Sequence, residues 1–341
     1  MKMDWRDMML RRLLAILPLL ALLLCTATLA GAADGYWSII QLPETGADPQ
    51  INNSGEIVWD SGTGQIYSSV RGQLSASGTA PHLANSGEVV YAEYFGGPNW
   101  DLVSTTRGRL TTGGIIDINA SGFGVNALGE VVFAITTNGY AQIYSTVRGQ
   151  ITTDAANHWS PCINDHGEIV WNQYGASTAL AVSSTRGSLG PCYFLQGLNN
   201  SGDYCYSDFA AATNQPGYTT YPHIFSSLHG VIINDSAQYQ FEGDLNDAGT
   251  IVWSGSDGLY EGQWYPTPVL SQTSLFGLRY VTWPTNNNGS DFHVQYTTNL
   301  AQPNWQAMTG PVNTIGTNFY KPLFSDIVVT NIFFRLSNTA P

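Results

Sequence analysis

Charge is what this sequence has least of. Only 11% of its 341 residues are Asp, Glu, Lys or Arg, against roughly 25% in an average globular chain. The shortage falls hardest on the basic residues, with 12 Lys and Arg against 25 Asp and Glu and a formal net charge of −13. Lys2 and Lys321 are the only lysines. Such a balance repels phosphate backbones and anionic lipid, which excludes nucleic-acid binding and attachment to a charged membrane surface. Cysteine is also sparse, at four residues. No C-x-x-C pair or His/Cys cluster carries zinc spacing, so neither a metal nor another cofactor is expected.

Long apolar runs are missing after the first 32 residues. Arg11-Arg12, the run Leu13–Leu24 and the small-residue stretch Ala30-Gly31-Ala32 have the layout of a secretory signal peptide. A run of that length is short for a membrane span, which needs about 20 residues. An uncleaved anchor is the alternative; a lipoprotein reading of Cys25 fails because Leu24 stands where a small residue is required. Residues 1–32 therefore read as a Sec leader, with the mature chain extracellular or periplasmic and not inserted in a membrane. Three cysteines remain beyond it, Cys162, Cys192 and Cys205. The odd count points to one bridge plus one buried thiol, with the pairing open.

What is present is a repeated phrase. NNSGEIVW, ANSGEVVY, NALGEVVF, NDHGEIVW, NNSGDYCY and NDAGTIVW are anchored on Gly55, Gly87, Gly129, Gly167, Gly202 and Gly249. Asn three residues before Gly starts a tight turn, and Gly takes the left-handed position. The β-branched and aromatic run behind it is too short for a helix and reads as a strand buried on both faces. A second phrase follows in five units, IYSSVRG, LVSTTRG, IYSTVRG, AVSSTRG and IFSSLHG. With the short strands around them, these make four strands in about 38 residues, the unit of a β-propeller blade.

The sixth unit lacks an outer strand of its own, while Tyr36–Leu42 is a strand with no preceding unit. Pairing the first strand into the last unit removes the open edges. The expected fold is all-β: a six-bladed β-propeller over residues 33–266, closed by the N-terminal strand, and a small β-sandwich over 267–341. Seven blades and an open solenoid are the alternatives.

In an up-and-down blade the two glycine turns share one face. Glu56, Glu88, Glu130 and Glu168 open the second strand, and Arg71, Arg107, Arg148 and Arg186 end the third beside them. Four exposed structural ion pairs are expected, worth about 0–1 kcal/mol each. In the fifth unit Asp203 and His229 replace the pair, and in the sixth Thr250 has no arginine partner. The spacing between the two turns runs 17, 21, 20, 20 and 28 residues, so the variation collects in loops on the opposite face, where recognition usually sits. Tyr94, Trp100, Tyr140, Trp159, Tyr174 and Tyr218 lie in those loops and are the candidate ligand-binding residues, suited to stacking on a sugar or packing on a protein.

No G-x-S-x-G elbow, phosphate loop or S-x-D-x-G-x-T-W box occurs, and no two acidic residues stand out as a glycosidase pair. No catalytic residue is assigned.

After Trp264 the text changes. Leu278–Pro284, Asp291–Leu300, Trp305–Met308 and Asn331–Leu336 alternate like sandwich strands, with Asn286–Gly289 as a turn and Trp283 and Trp305 expected in the core. Two resemblances follow. Residues 36–265 resemble the N-x-x-G-x-x-A-F tandem repeats of bacterial extracellular proteins, most closely at Asn126, Gly129 and Phe133, with Val132 at the alanine position. That family implies no activity. The tail resembles a fibronectin-III-like module through Thr282–Pro284, Val294–Leu300, Asn304-Trp305 and Phe333–Leu336. The expectation is a secreted bacterial, non-enzymatic binding scaffold with a protein or polysaccharide partner. A carbohydrate-active hydrolase with an unmarked carboxylate pair and a structural matrix or surface-layer component are the rival readings.

Overall fold

In the computed structural model, residues 35–96, 99–116, 122–175, 179–208, 222–232, 240–266, 270–275, 278–285, 292–298, 304–323 and 332–337 are described. The expected leader and the expected turn at Asn286–Gly289 lie outside them. Every element found among them is a strand.

β1 spans Gly35–Gln41. The first unit is β2 (Ala47–Ile51), β3 (Ile57–Asp60), β4 (Ile66–Ser68) and β5 (Gly72–Ser75). The second is β6 (Thr79–Leu83), β7 (Val89–Glu93), β8 (Asp101–Ser104) and β9 (Gly108–Arg109). The third is β10 (Phe123–Val125), β11 (Val131–Thr137), β12 (Tyr140–Ser145) and β13 (Gly149–Gln150). The fourth is β14 (Asn157–Ile163), β15 (Ile169–Tyr174), β16 (Ala179–Ser183) and β17 (Gly187–Pro191). The fifth is β18 (Phe194–Leu198), β19 (Tyr204–Asp208), β20 (His223–Ser226) and β21 (Gly230–Val231). The sixth has β22 (Gln240–Leu245), β23 (Thr250–Gly255) and β24 (Gly258–Pro266).

Each of the first five units is an antiparallel four-stranded sheet in chain order, and the sixth sheet runs β1-β24-β23-β22. β1 lies against β24 from Gly35↔Pro266 to Gln41↔Tyr260. These sheets are β-propeller blades. Their innermost strands touch in the order β2, β6, β10, β14, β18, β22, and β22 touches β2.

The apolar core lies between sheets rather than within one. Val132, Ala134 and Ile143 of the third unit pack on Ile163, Ile169 and Trp171 of the fourth. Ile51, Ile57 and Trp59 of the first pack on Val252 and Leu259 of the sixth. This is why the second strand is apolar without alternation in every unit but the fifth: β3, β7, β15, β23 and the start of β11 are buried at successive residues, whereas β19 alternates. Each fully buried aliphatic side chain contributes about 1.5–3 kcal/mol.

The turn asparagines do more than cap. Asn164 Oδ1 accepts the N–H groups of His166 (3.1 Å) and Glu168 (3.0 Å), closing the turn in which Gly167 has φ 77°. Its Nδ2 then donates to the Asn199 carbonyl of the next unit at 3.0 Å. Asn126 reaches Asn164 O, Asn199 reaches Asn246 O and Asn246 reaches Asn52 O in the same way. The following residue makes a second tier. Ala127 N–H donates to Asp165, Asp165 N–H to Asn200, Asn200 N–H to Asp247, and Asp247 N–H to Asn53, all at 2.7–2.8 Å.

The C-terminal segment has β25 (Ser271–Leu275), β26 (Leu278–Pro284), β27 (His293–Thr297), β28 (Gln306–Ala307), β29 (Asn313–Ile315), β30 (Asn318–Pro322) and β31 (Phe333–Ser337). They form two sheets, β25-β26-β30-β29 and β28-β27-β31. Val281 and Trp283 of one sheet and Val294 of the other share a core. Trp305 departs from expectation. It is only half-buried, and Arg335 lies over its ring 4.4 Å from the centroid.

The expected disulfide is also corrected. Cys162, Cys192 and Cys205 are all free and buried. Each is packed as a small apolar side chain, and burial pushes all three thiols above their usual range.

Replacing Asn164 by Ala removes the acceptor of two turn N–H groups and the donor to the next unit. The expected loss is about 2–4 kcal/mol in urea unfolding, combining a lost cap with buried unpaired groups. Ala84→Asn, at the equivalent position of the second unit, is expected to cost less than 1 kcal/mol because that position already dispenses with the amide.

Candidate functional site at the mouth of the central cavity

At the start of the innermost strands the chain takes a conformation that side chains avoid. Asp48, Ala80, Ser160 and Glu242 have φ of 49–50°, and Gly122 has φ 50° at the equivalent place in the third unit. The ladder shifts by one residue there, between Ala47 and Gln50, Thr79 and His82, Trp159 and Cys162, and Phe241 and Gly243. Such bulges re-aim side chains, and a non-glycine residue held there costs on the order of 1–3 kcal/mol. The strain repeats round one end of the inner strands, the end opposite the glycine turns.

These positions rim a cavity of about 470 Å³. Asp48, Glu242, Gln50 and Gln196 form one wall, and Phe123, Trp159, Tyr174, Phe194 and Phe241 supply the aromatic surface. The Trp159 and Tyr174 rings lie 5.0 Å apart, and those of Phe194 and Phe241 5.4 Å apart. A narrower space of about 50 Å³ continues below, past Asp244, to the second tier of Asn and Asp.

Asp48 and Glu242 come from the first and sixth units. Asp48 N–H donates to Glu242 Oε2 at 3.3 Å, and the two carboxyl groups are themselves in hydrogen-bonding contact. Burial, reinforced by the Glu242 charge and more weakly by Asp60, holds the Asp48 carboxyl well above the usual carboxylate range. Asp48 therefore keeps its proton beside the Glu242 carboxyl. Asp244 lies deeper and accepts the Ile51 N–H at 3.1 Å. Burial pushes it up to about 7 against the pull of that bond and the Leu245 N–H. Gly197 faces it so closely that a Cβ there would collide with Asp244 Oδ1. His82, the one basic group in the lining, is pulled down to about 4 by burial and is neutral at pH 7.

The other predicted residues are placed as follows. Trp159 and Tyr174 line the cavity. Tyr94 and Trp100 meet edge-on 5.8 Å apart on the β7–β8 connection, outside the cavity lining. Tyr140 stands exposed where β11 turns into β12, and Tyr218 lies outside the described residues. Arg71–Glu56, Arg107–Glu88, Arg148–Glu130 and Arg186–Glu168 each meet at 2.6 Å through Nε and Oε1. They are less exposed than expected, since the glutamate side chains are only 9–12% exposed.

The same glutamates accept a hydroxyl proton from Ser68, Ser104, Ser145 and Ser183. Those serines, the first hydroxyl of each RG phrase, were not singled out from the sequence. Burial works against the charges of Glu88 and Glu168, yet the Ser and Arg donors outweigh it and hold both below the usual range. Asp101, which pairs with Arg109, also went unmarked.

Among the described residues, no group of three His, Cys, Asp or Glu side chains is gathered to hold a metal. The arrangement offers a half-buried pair of carboxyls, one of which keeps its proton, in a cavity that also presents aromatic side chains, which is acid–base equipment.

The fold and this cavity define the chain as a β-propeller. It matches no family model and no curated protein. Solved structures similar to it include a gluconolactonase from Xanthomonas campestris, at 12% identity over 70% of this chain and 92% of that one, with a TM-score of 0.46. The β-propeller domain of the trilobed protease from Pyrococcus furiosus is 10% identical over 74% and 90%, with a TM-score of 0.38. A virginiamycin B lyase from Staphylococcus aureus is 10% identical over 67% and 99%, also at 0.38. The non-enzymatic expectation is corrected here: the similar structures include a lactonase and a lyase, and the cavity holds a carboxylate pair that the sequence left unmarked.

The raised acids set a direction for stability. The unfolded chain releases the Asp244 proton near pH 4 while the folded chain keeps it to about pH 7. Stability is therefore lost as pH rises from about 4 to about 7, by on the order of 4 kcal/mol if the shift is fully expressed. Asp48 acts in the same sense. His82, held down to about 4, opposes them, since its contribution to stability is lost as pH falls from about 6.5 to about 4, while Glu88, Glu168 and Asp165 act only as pH falls below about 4.5. The melting temperature of Asp244→Asn relative to wild type is expected to rise between pH 5 and about 7.5, with His82 left in place in both proteins, as checked by calorimetry.

Proposed function

We propose that the chain is a carbohydrate-active hydrolase working at the cavity mouth. The observation that carries this is the Asp48–Glu242 pair, a protonated carboxyl against a second one, in the same cavity as the Trp159 and Tyr174 rings. Aromatic faces of this kind stack on the apolar faces of sugar rings.

Carboxyls in contact are closer than the roughly 5–9.5 Å that separates glycosidase pairs. A carboxyl that keeps its proton beside a second carboxyl suits addition of water to a carbonyl carbon instead, so an ester-type linkage on a saccharide is the bond of choice. Glu242 takes a proton from water as the water oxygen bonds to the carbonyl carbon, and Asp48 gives its proton to the carbonyl oxygen. On collapse that proton returns to Asp48 and the carbon–alcohol bond breaks. The departing oxygen then takes the proton held by Glu242. Water and ester become acid and alcohol, and both carboxyls are restored.

Around this centre the six sheets read as a six-bladed ring sealed by β1, consistent with its pairing to β24. The two C-terminal sheets read as a fibronectin-III-like sandwich serving as a spacer, and the first 32 residues as a leader directing secretion. A polysaccharide is then the natural partner.

Acetylated oligosaccharides and chromogenic sugar esters are the assay substrates. Asp48→Asn and Glu242→Gln are each expected to lower kcat by about 100-fold or more with the melting temperature within a few degrees of wild type. Turnover that survives both substitutions, or a wild-type chain inert toward every ester, overturns the reading.

A further inference from the structure

We infer that the cavity selects a saccharide bearing a positively charged amine over its neutral or acidic counterpart. This rests on the saccharide reading above and names the substrate class for the same site.

The lining has no cation to offer an anionic ligand. From residue 35 to residue 266 the sequence holds five arginines and no lysine. All five are engaged away from the cavity: Arg71, Arg107, Arg148 and Arg186 with their glutamates, and Arg109 with Asp101. His82 is neutral at pH 7. The scarcity of basic residues is a property of the sequence, so no lining segment outside the described residues changes it.

The same lining is rich in groups that want a donor. Asp48 and Glu242 sit at the lip and Asp244 below it. The Gln196 side chain donates to Ser207 Oγ at 2.7 Å, which leaves its Oε1 buried without a partner beside the cavity. An ammonium group brings three donors and the charge that lets Asp48 and Glu242 ionise together. Across the cavity the Trp159 and Tyr174 faces attract a cation through their ring quadrupoles. The negative chain as a whole raises the local concentration of cations at such an opening. A neutral sugar satisfies the acceptors but not the charge. An acidic sugar meets three carboxyl groups and no counter-charge nearby.

The test is titration calorimetry of the full chain at about pH 6.5 with three β-1,4-linked disaccharides, namely that of glucosamine, its N-acetylated form and cellobiose. The amine form is expected to bind at least 10-fold more tightly than either neutral form. Glu242→Gln is expected to bring the three within about 3-fold of one another, and 0.5 M NaCl to narrow the gap in wild type. Equal or tighter binding of a neutral form, or no binding by any of the three, overturns the inference. Ester hydrolysis that depends on Asp48 and Glu242 still stands in that case. Conversely, preferential amine binding with hydrolysis indifferent to those carboxyls overturns the hydrolase and leaves the inference standing.

Discussion

The structure depends on one interaction, the bond that Asn126, Asn164, Asn199 and Asn246 each make in two directions. A buried backbone N–H without an acceptor costs about 1–3 kcal/mol, and every N-x-x-G turn holds two that are at least part-buried. A single Asn side chain satisfies both through Oδ1, as Asn164 does for His166 and Glu168, and spends its remaining donor on the carbonyl of the next unit. Local turn and inter-unit contact are thus one chemical event. The second unit shows the consequence of losing it. Ala84 has no amide to give, and the neighbouring Asn85 instead reaches Asp165 of the fourth unit at 2.7 Å. The carboxylates of this tier are saturated with amide donors. Burial opposes the charge of Asp165, but Asn200, Asn85 and the Ala127 N–H outweigh it and hold its carboxyl below the usual range. That leaves the tier a brace rather than a reactive centre.

Satisfied turns at one end let the other end carry strain. The inner strands enter through left-handed residues whose cost the inter-sheet cores can absorb, and those residues surround the opening. Most of them are inert: Ala80, Gly122 and Ser160. The acids stand only where the last unit meets the first, and there the same groups hold the seam and line the cavity. Asp244 receives the Ile51 N–H, and Glu242 receives that of Asp48. The fifth unit departs in another way. His229 stacks on Trp264 at 4.5 Å where its neighbours have an arginine, so an aromatic contact replaces the ion pair beside β1.

Much of the fold was legible because it repeats. Glycine at φ > 0, Asn three residues before it and an unbroken apolar run state turn and buried strand without reference to anything distant. The Glu–Arg partners were legible for the same reason, since both lie within one unit. The serine between them was readable too, but a hydroxyl in a Ser/Thr-rich phrase carries no contrast until its acceptor is seen. Trp305 and the cysteines were misjudged because burial and bridging are properties of neighbours, and composition does not name neighbours.

The cavity shows where such reading stops. Lined up on the turn asparagine, the position four residues earlier holds Asp48, Ala80, Gly122, Ser160, Leu195 and Glu242. The two acids are visible in that column, at its opposite ends and 194 residues apart. By itself the amino-acid order determined the all-β character, the repeat, the paired turns and the shortage of positive charge, because each rests on local stereochemistry or on counting. Only the tertiary structure decided that the first and last members of the column are neighbours. Burial at that junction, with the Glu242 charge beside it, raises the Asp48 pKa and makes two ordinary carboxyls one pair, and no local pattern encodes it.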